Sequence, residues 1–212
     1  MEKRYPRFTL NRGIVCLSTM ACSLYCHFRA DYQGAKNLPR PPYVLLPKHQ
    51  SMFDIILEGV LIHRTQHVYP HYLMKNTLPD WLGLYGGIHI VRQRDAAETS
   101  ARRKNIAALR RAQQVLANKG ILIVHSEGTR VPGAVGELQP AGLSLIVGWQ
   151  KDLGPIPIVP VGIHYGGQIH VRVGTPRVYS ALGNPELHEL RGEMARLSGL
   201  PLQAAGGSPE QE

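Results

Sequence analysis

A histidine at position 49 is followed by an aspartate at position 54. Held together, an imidazole and a carboxylate act as one unit. The carboxylate fixes the ring tautomer and steadies the imidazolium, and the imidazole takes a proton from a hydroxyl. The apolar run Tyr43, Val44, Leu45, Leu46 just upstream reads as a buried strand. Its end places His49 on a turn, and Asp54 opens a helix that continues through Ile55, Ile56, Leu57 and Glu58. His/Asp pairs more often bond locally or cap a helix than catalyse, so the pair alone carries little weight.

Three later segments add the weight. Glu127, Gly128, Thr129 and Arg130 follow the apolar run Ile121, Leu122, Ile123, Val124, again a core strand ending in a polar turn. Gly128 there permits close backbone approach. Between the two lies the segment 86–92, a short strand opened by Gly86 and Gly87 and closed by Arg92. Residues 155–161 form a further buried strand, broken by Pro155, Pro157 and Pro160. Four strand ends in this order are far more specific than any one of them.

The order resembles the 1-acylglycerol-3-phosphate acyltransferase family. That family's first block is a histidine, four residues and an aspartate, matched by His49 and Asp54. Its second is a glycine-led strand ending in arginine, matched at Gly86 and Arg92. Its third is Phe-Pro-Glu-Gly-Thr-Arg, matched at Glu127, Gly128, Thr129 and Arg130, and its fourth is an apolar strand with a central proline, matched around Pro160. Leu38-Pro39, Lys75 and Leu78-Pro79 also match its connecting phrases, so the resemblance covers residues 36–175. Departures are visible: His89 and Val91 replace an aromatic and an aspartate in the second block, and His125-Ser126 replaces Phe-Pro in the third. A basic residue expected soon after the third block is replaced by Gln139, Pro140, Ala141 and Gly142.

The resemblance implies a fatty acyl group moved from a thioester, acyl-CoA or acyl carrier protein, to the free hydroxyl of lysophosphatidate. The product is phosphatidate, and no cofactor is required. His49 is then the general base, oriented by Asp54. The acceptor phosphate is gripped by Arg130 and Arg92, whose planar, permanently charged forks suit it. Glu127 binds a glycerol hydroxyl or holds an arginine, while Gly128 and Thr129 supply backbone and hydroxyl contacts. Close alternatives are the same chemistry on glycerol-3-phosphate or another lysophospholipid, and a non-catalytic basic membrane-binding protein. No GxSxG nucleophile elbow is present, which argues against a serine hydrolase of the α/β-hydrolase plan.

Charge narrows the partners. The 212 residues carry a net charge of +9. Residues 1–40 hold seven Lys/Arg against two Asp/Glu, a local excess of +5. A basic N-terminus beside an apolar stretch favours an anionic lipid surface. A second basic stretch, Arg102, Arg103, Lys104, Arg110 and Arg111, reads as a solvated helix face or as a dock for headgroups or an acidic carrier protein. Nucleic-acid recognition lacks a motif and aromatic interleaving. Cys16, Cys22 and Cys26 fall in one apolar segment, so a reduced protein on the cytoplasmic face of the inner membrane is expected. His63, His67 and His71 are spaced by four, but Pro70 interrupts any helix there and no metal is expected. His89 and His125 either flank the site or serve the core.

The elements that must position these residues follow from periodicity. Residues 13–28 are the apolar stretch, bracketed by Arg12 and Arg29. They fall short of the ~20 residues that span a bilayer, so an interfacial helix fits best. A secretory signal fits less well, since export would separate the enzyme from its donor. From residue 40 short apolar strands alternate with helices, as in an α/β domain with a mixed central sheet flanked by helices. Residues 98–119 form the clearest helix, with Ile106, Leu109, Ala112 and Leu116 read as one face and Gly120 as its stop. Residues 143–149 read as a short buried helix and 168–179 as a last strand and turn. The organisation is a basic N-terminal segment with an interfacial helix at 1–35, one acyltransferase domain at 36–200, and a tail at 201–212, disordered over 204–212.

Overall fold

Continuous apolar runs form three central strands buried on both faces, 43–47, 121–124 and 158–164, and with four less buried strands they make a seven-stranded sheet among the described residues. The structure, a computed structural model, describes residues 9–91 and 99–204. The strands are β1 (Ala30–Gln33), β2 (Tyr43–Pro47), β3 (His71–Lys75), β4 (Gly87–Ile90), β5 (Ile121–Val124), β6 (Ile158–His164) and β7 (Ile169–Val173). Their spatial order is β1-β7-β6-β2-β5-β3-β4. Every neighbouring pair is parallel except β6 with β7, so the sheet is mixed.

Alternation along each strand sorts the core into two layers. Tyr43, Leu45, Ile121, Ile123, Val159 and Val161 point to one face, where helices α1 (Thr9–Arg29) and α2 (Asp54–Gln66) cover them. Val44, Leu46, Leu122 and Val124 point to the other, against α3 (Thr99–Ala117), α4 (Pro140–Leu153) and α5 (Asn184–Ser198). The result is a single α/β domain with helices on both faces of the sheet. At Gly162 any Cβ would meet the Leu197–Ser198 backbone at 2.3 Å, so only glycine lets α5 sit this close to β6.

Several expectations needed correction. On α3 the buried line is Ala108, Ala112 and Leu116, a repeat of four, with Leu109 half-buried beside it. Ile106 is exposed instead, because six residues at 100° each carry it well away from Ala112. The buried helix expected at 143–149 is twice as long, starting at Pro140, whose missing N–H costs nothing in a first turn. β6 is not broken by its proline: Pro160 pairs in register with Leu46, and its carbonyl accepts the Gly174 N–H at 2.9 Å. β1, β3 and α5 lacked a clear periodic signal in the sequence. Leu202 bridges Val135 at the end of the described chain, while 205–212, most of the segment expected to be disordered, lies outside the described residues.

Helix α1 is longer than the apolar stretch read from the sequence, 21 residues, and packs on α2. Among the described residues no helix is long and apolar enough to cross a membrane.

Candidate active site

Parallel neighbours β2 and β5 end side by side, so the turns that follow them meet. One carries His49 and the other runs from His125 to Val131. The two are laced together: Val131 N–H donates to the His49 carbonyl at 2.9 Å, and Lys48 Nζ donates to the Val131 carbonyl at 2.7 Å.

At the centre lies His49. Its Nδ1 stands 3.0 Å from Asp54 Oδ2. The ring is 15% exposed and the carboxylate is fully buried. Asp54 opens α2, and the same Oδ2 accepts the backbone N–H groups of Gln50 at 2.6 Å and Ser51 at 2.8 Å. Its other oxygen accepts the Tyr165 hydroxyl at 2.5 Å. Burial pushes the Asp54 carboxyl up, but these four donors outweigh it and hold the group below the usual carboxylate range. An ionised Asp54 fixes the Nδ1–H tautomer of His49, which leaves the Nε2 lone pair able to accept a proton. Burial, opposed by the Asp54 bond, pulls His49 below the ordinary imidazole value.

Glu127 faces inward. Its carboxylate accepts Lys48 Nζ at 2.9 and 3.1 Å, the His49 backbone N–H at 2.9 Å and the Gly136 N–H at 2.8 Å. Every lone-pair direction is therefore taken by the protein, and its cationic partner is a lysine rather than an arginine. Lys48 is fully buried, and desolvation lowers its ammonium despite Glu127. The third block thus acts as a bracket for the His49 backbone. Gly128 takes φ +69°, the left-handed conformation that glycine allows, and turns the chain outward. Thr129 is half-buried and Arg130 is exposed at the rim, one residue before the Val131 lace. Arg130 makes no ion pair among the described residues. Arg92 lies outside the described residues.

Sequence reasoning missed Lys48, Tyr165 and Glu58. Lys48 had a signal, a charged residue directly after a buried strand. Of the two histidines expected near the site, His125 stacks on His49, whereas His89 sits on edge strand β4, two strands beyond β5. His63, His67 and His71 part ways: His63 stacks on Tyr69, His67 ends α2 with φ 56°, and His71 opens β3. Among the described residues no three His, Cys, Asp or Glu side chains gather in a metal-holding group.

A cavity of about 900 Å³ opens between α1, α2 and the turn at residues 80–86. Met52 and Ile55, on either side of Asp54, line it together with Val15, Cys22, Val60 and Leu82. Its size suits a small-molecule site, and its walls are mainly apolar.

A buried carboxylate bonded to an imidazole can move a proton, and a mainly apolar cavity runs along the same helix α2. The chain belongs to the acyltransferase family, whose family model matches residues 29–164. It is 25% identical over 165 residues to the 1-acyl-sn-glycerol-3-phosphate acyltransferase of Pseudomonas aeruginosa PAO1. That alignment covers 76% of this chain and 60% of the relative, so the chain spans about three fifths of the relative's length. The fold resembles the crystal structure of the 1-acyl-sn-glycerophosphate acyltransferase PlsC of Thermotoga maritima, with a TM-score of 0.57 and 19% identity. That likeness covers 84% of this chain and 77% of the other.

Proposed function

We propose that the protein transfers a fatty acyl group from a thioester to the free hydroxyl of lysophosphatidate, producing phosphatidate. The observation that carries this reading is the 3.0 Å bond between His49 Nδ1 and a carboxylate that is fully buried, with a mainly apolar cavity along the same helix. The acceptor hydroxyl gives its proton to His49 Nε2 as its oxygen attacks the thioester carbonyl. The tetrahedral intermediate collapses, the C–S bond breaks, and the departing thiolate takes the proton back. The acceptor ester and a free thiol result, with no nucleophile from the protein.

The cavity takes an acyl tail, since its walls are mainly apolar and Met52 and Ile55, on either side of Asp54 in the chain, line it. Arg130, exposed at the rim and without an ion pair among the described residues, is the handle for the acceptor phosphate. Lysophosphatidate is the acceptor favoured by the similarity to the Pseudomonas enzyme. The donor is acyl-CoA or acyl carrier protein, and exposed Arg103, Lys104 and Arg110 on α3 offer an acidic carrier a basic face.

Membrane association comes from α1. Leu17, Met20, Leu24 and Phe28 are exposed at helical spacing, and Trp81 and Leu84 are exposed on the turn that walls the same cavity. An apolar stripe of this kind lies in the interface plane, at the mouth through which a lipid tail enters. The cytoplasmic leaflet supplies both the anionic surface and the activated acyl donor.

Incubation with acyl-CoA or acyl carrier protein and a panel of acceptors, with the lipid products resolved, tests the reading. Phosphatidate from lysophosphatidate supports it. Turnover of glycerol-3-phosphate or another lysophospholipid instead moves the acceptor, and inertness toward all pairs leaves a membrane-binding protein.

A further inference from the structure

A second acid–imidazole pair lies against the first. His125 Nε2 stands 2.9 Å from Glu58 Oε1, and the His125 ring stacks on His49 with centroids 4.1 Å apart and planes 29° apart. Both carboxylates are fully buried on α2, and residues 54 and 58 are one turn apart on the same helix face. Two imidazoles at this distance do not both hold a proton readily, since like charges repel across a low-dielectric gap.

The two pairs differ in how their carboxylates are loaded. Asp54 spreads its charge over His49, two backbone N–H groups and the Tyr165 hydroxyl. Glu58 is bonded to His125 through Oε1, and its Oε2 is buried with no hydrogen-bond partner. Glu58 therefore depends on His125 to balance its charge far more than Asp54 depends on His49.

We propose that His125, held by Glu58, is a positioning residue for His49: it takes the single cation of the stacked pair and keeps His49 as the free base. The proposal rests on His49 being the base of acyl transfer. The charged and titratable groups facing the stack are Asp54 and Glu58 from α2, and Glu127, already paired with Lys48, from the β5 turn. Tyr72 of β3 also faces Glu58, and Tyr165 after β6 faces Asp54. Burial depresses His125, but Glu58 more than offsets it and the ring sits above the ordinary imidazole value; the cation beside His49 in turn works to depress His49. In turnover the arrangement has two effects. The base is available at lower pH, and the proton it accepts is readily passed to the leaving thiolate.

The test is a histidine-ring NMR titration of the full chain, read alongside the pH profile of kcat/KM. In the wild type His125 protonates first as pH falls and His49 stays neutral to lower pH. In His125→Gln, which keeps a hydrogen-bond donor for Glu58 without the charge, the His49 midpoint rises by about one to two pH units. The acidic limb of kcat/KM moves up with it. In Glu58→Gln the His125 midpoint falls. His49 protonating before His125 in the wild type overturns the proposal, and so does an unmoved His49 midpoint in folded His125→Gln. The wild-type titration decides the matter even if a variant fails to fold. It also stands apart from turnover: absence of acyl transfer with every acceptor overturns the catalytic reading, whereas the order of protonation answers for the stack.

Discussion

The Glu127 carboxylate accepts the backbone N–H of His49 at 2.9 Å, so a residue of the β5 turn sets where the imidazole of the β2 turn stands. The same carboxylate neutralises Lys48, which reaches back to the carbonyls of His49 and Val131. Two loops 79 residues apart are thereby locked into one platform without spending any group on substrate.

Breaking this bracket costs fold before chemistry. Glu127→Ala leaves a fully buried ammonium without its counter-charge, a loss of about 3–5 kcal/mol. Urea unfolding should show a large fall in midpoint for the single variant. The double variant Lys48→Met/Glu127→Leu should recover part of it, because an apolar pair leaves no buried charge. Equal instability of single and double variants would count against the bracket.

His49→Ala should abolish turnover while the protein stays folded. Asp54→Asn should lower kcat by about three to four orders of magnitude, since an amide donor favours the wrong tautomer. Near-normal kcat in either folded variant would exclude the pair as the catalytic base.

Tyr165→Phe removes a charge-assisted bond to Asp54, a loss of about 1.5–3 kcal/mol at neutral pH. The sign of its pH dependence follows from the depressed Asp54. A carboxyl lowered in the folded state contributes stability above its ordinary value of 3.8, and loses it as pH falls through the lower folded value. The gap between wild type and Tyr165→Phe should therefore be widest near neutrality and narrow on acidification. Denaturant titrations at a series of pH values measure it, and a constant gap would show that Tyr165 acts through packing alone.

Arg130→Ala should raise the acceptor KM roughly ten- to a hundredfold with little change in the donor KM. Arg130→Lys should restore part of the loss, because lysine keeps the charge without the fork. An equal effect on a phosphate-free acceptor would remove the phosphate role.

Membrane binding is best tested on the surface of α1. Deleting residues 1–30 would also strip Val15 and Cys22 from the cavity wall and buried Cys26 from the core. Leu17→Ser/Leu24→Ser/Phe28→Ser changes exposed side chains only. Co-sedimentation with anionic vesicles should fall sharply for the triple variant. For the wild type it should fall only partly as salt rises, since salt screens the basic residues and leaves apolar burial intact. Undiminished binding of the triple variant would move attention to Arg103, Lys104 and Arg110 of α3.

By itself the sequence determined the strands and the loop ends that carry the site. Buried parallel strands are contiguous apolar runs, so 43–46 and 121–124 announced themselves, and polar residues directly after them marked His49 and Glu127. The pairing of His49 with Asp54 is also local, within one turn and the start of one helix. What the tertiary structure decided is how these ends face one another. Laying β5 beside β2 turned Glu127 inward onto Lys48 and the His49 backbone, leaving Arg130 at the rim. It brought His125 against His49 and Glu58, 67 residues away, and Tyr165 onto Asp54, 111 residues away. No periodicity encodes such contacts. They depend on strand order and register, which are set by long-range pairing and by how two faces of one sheet divide the core.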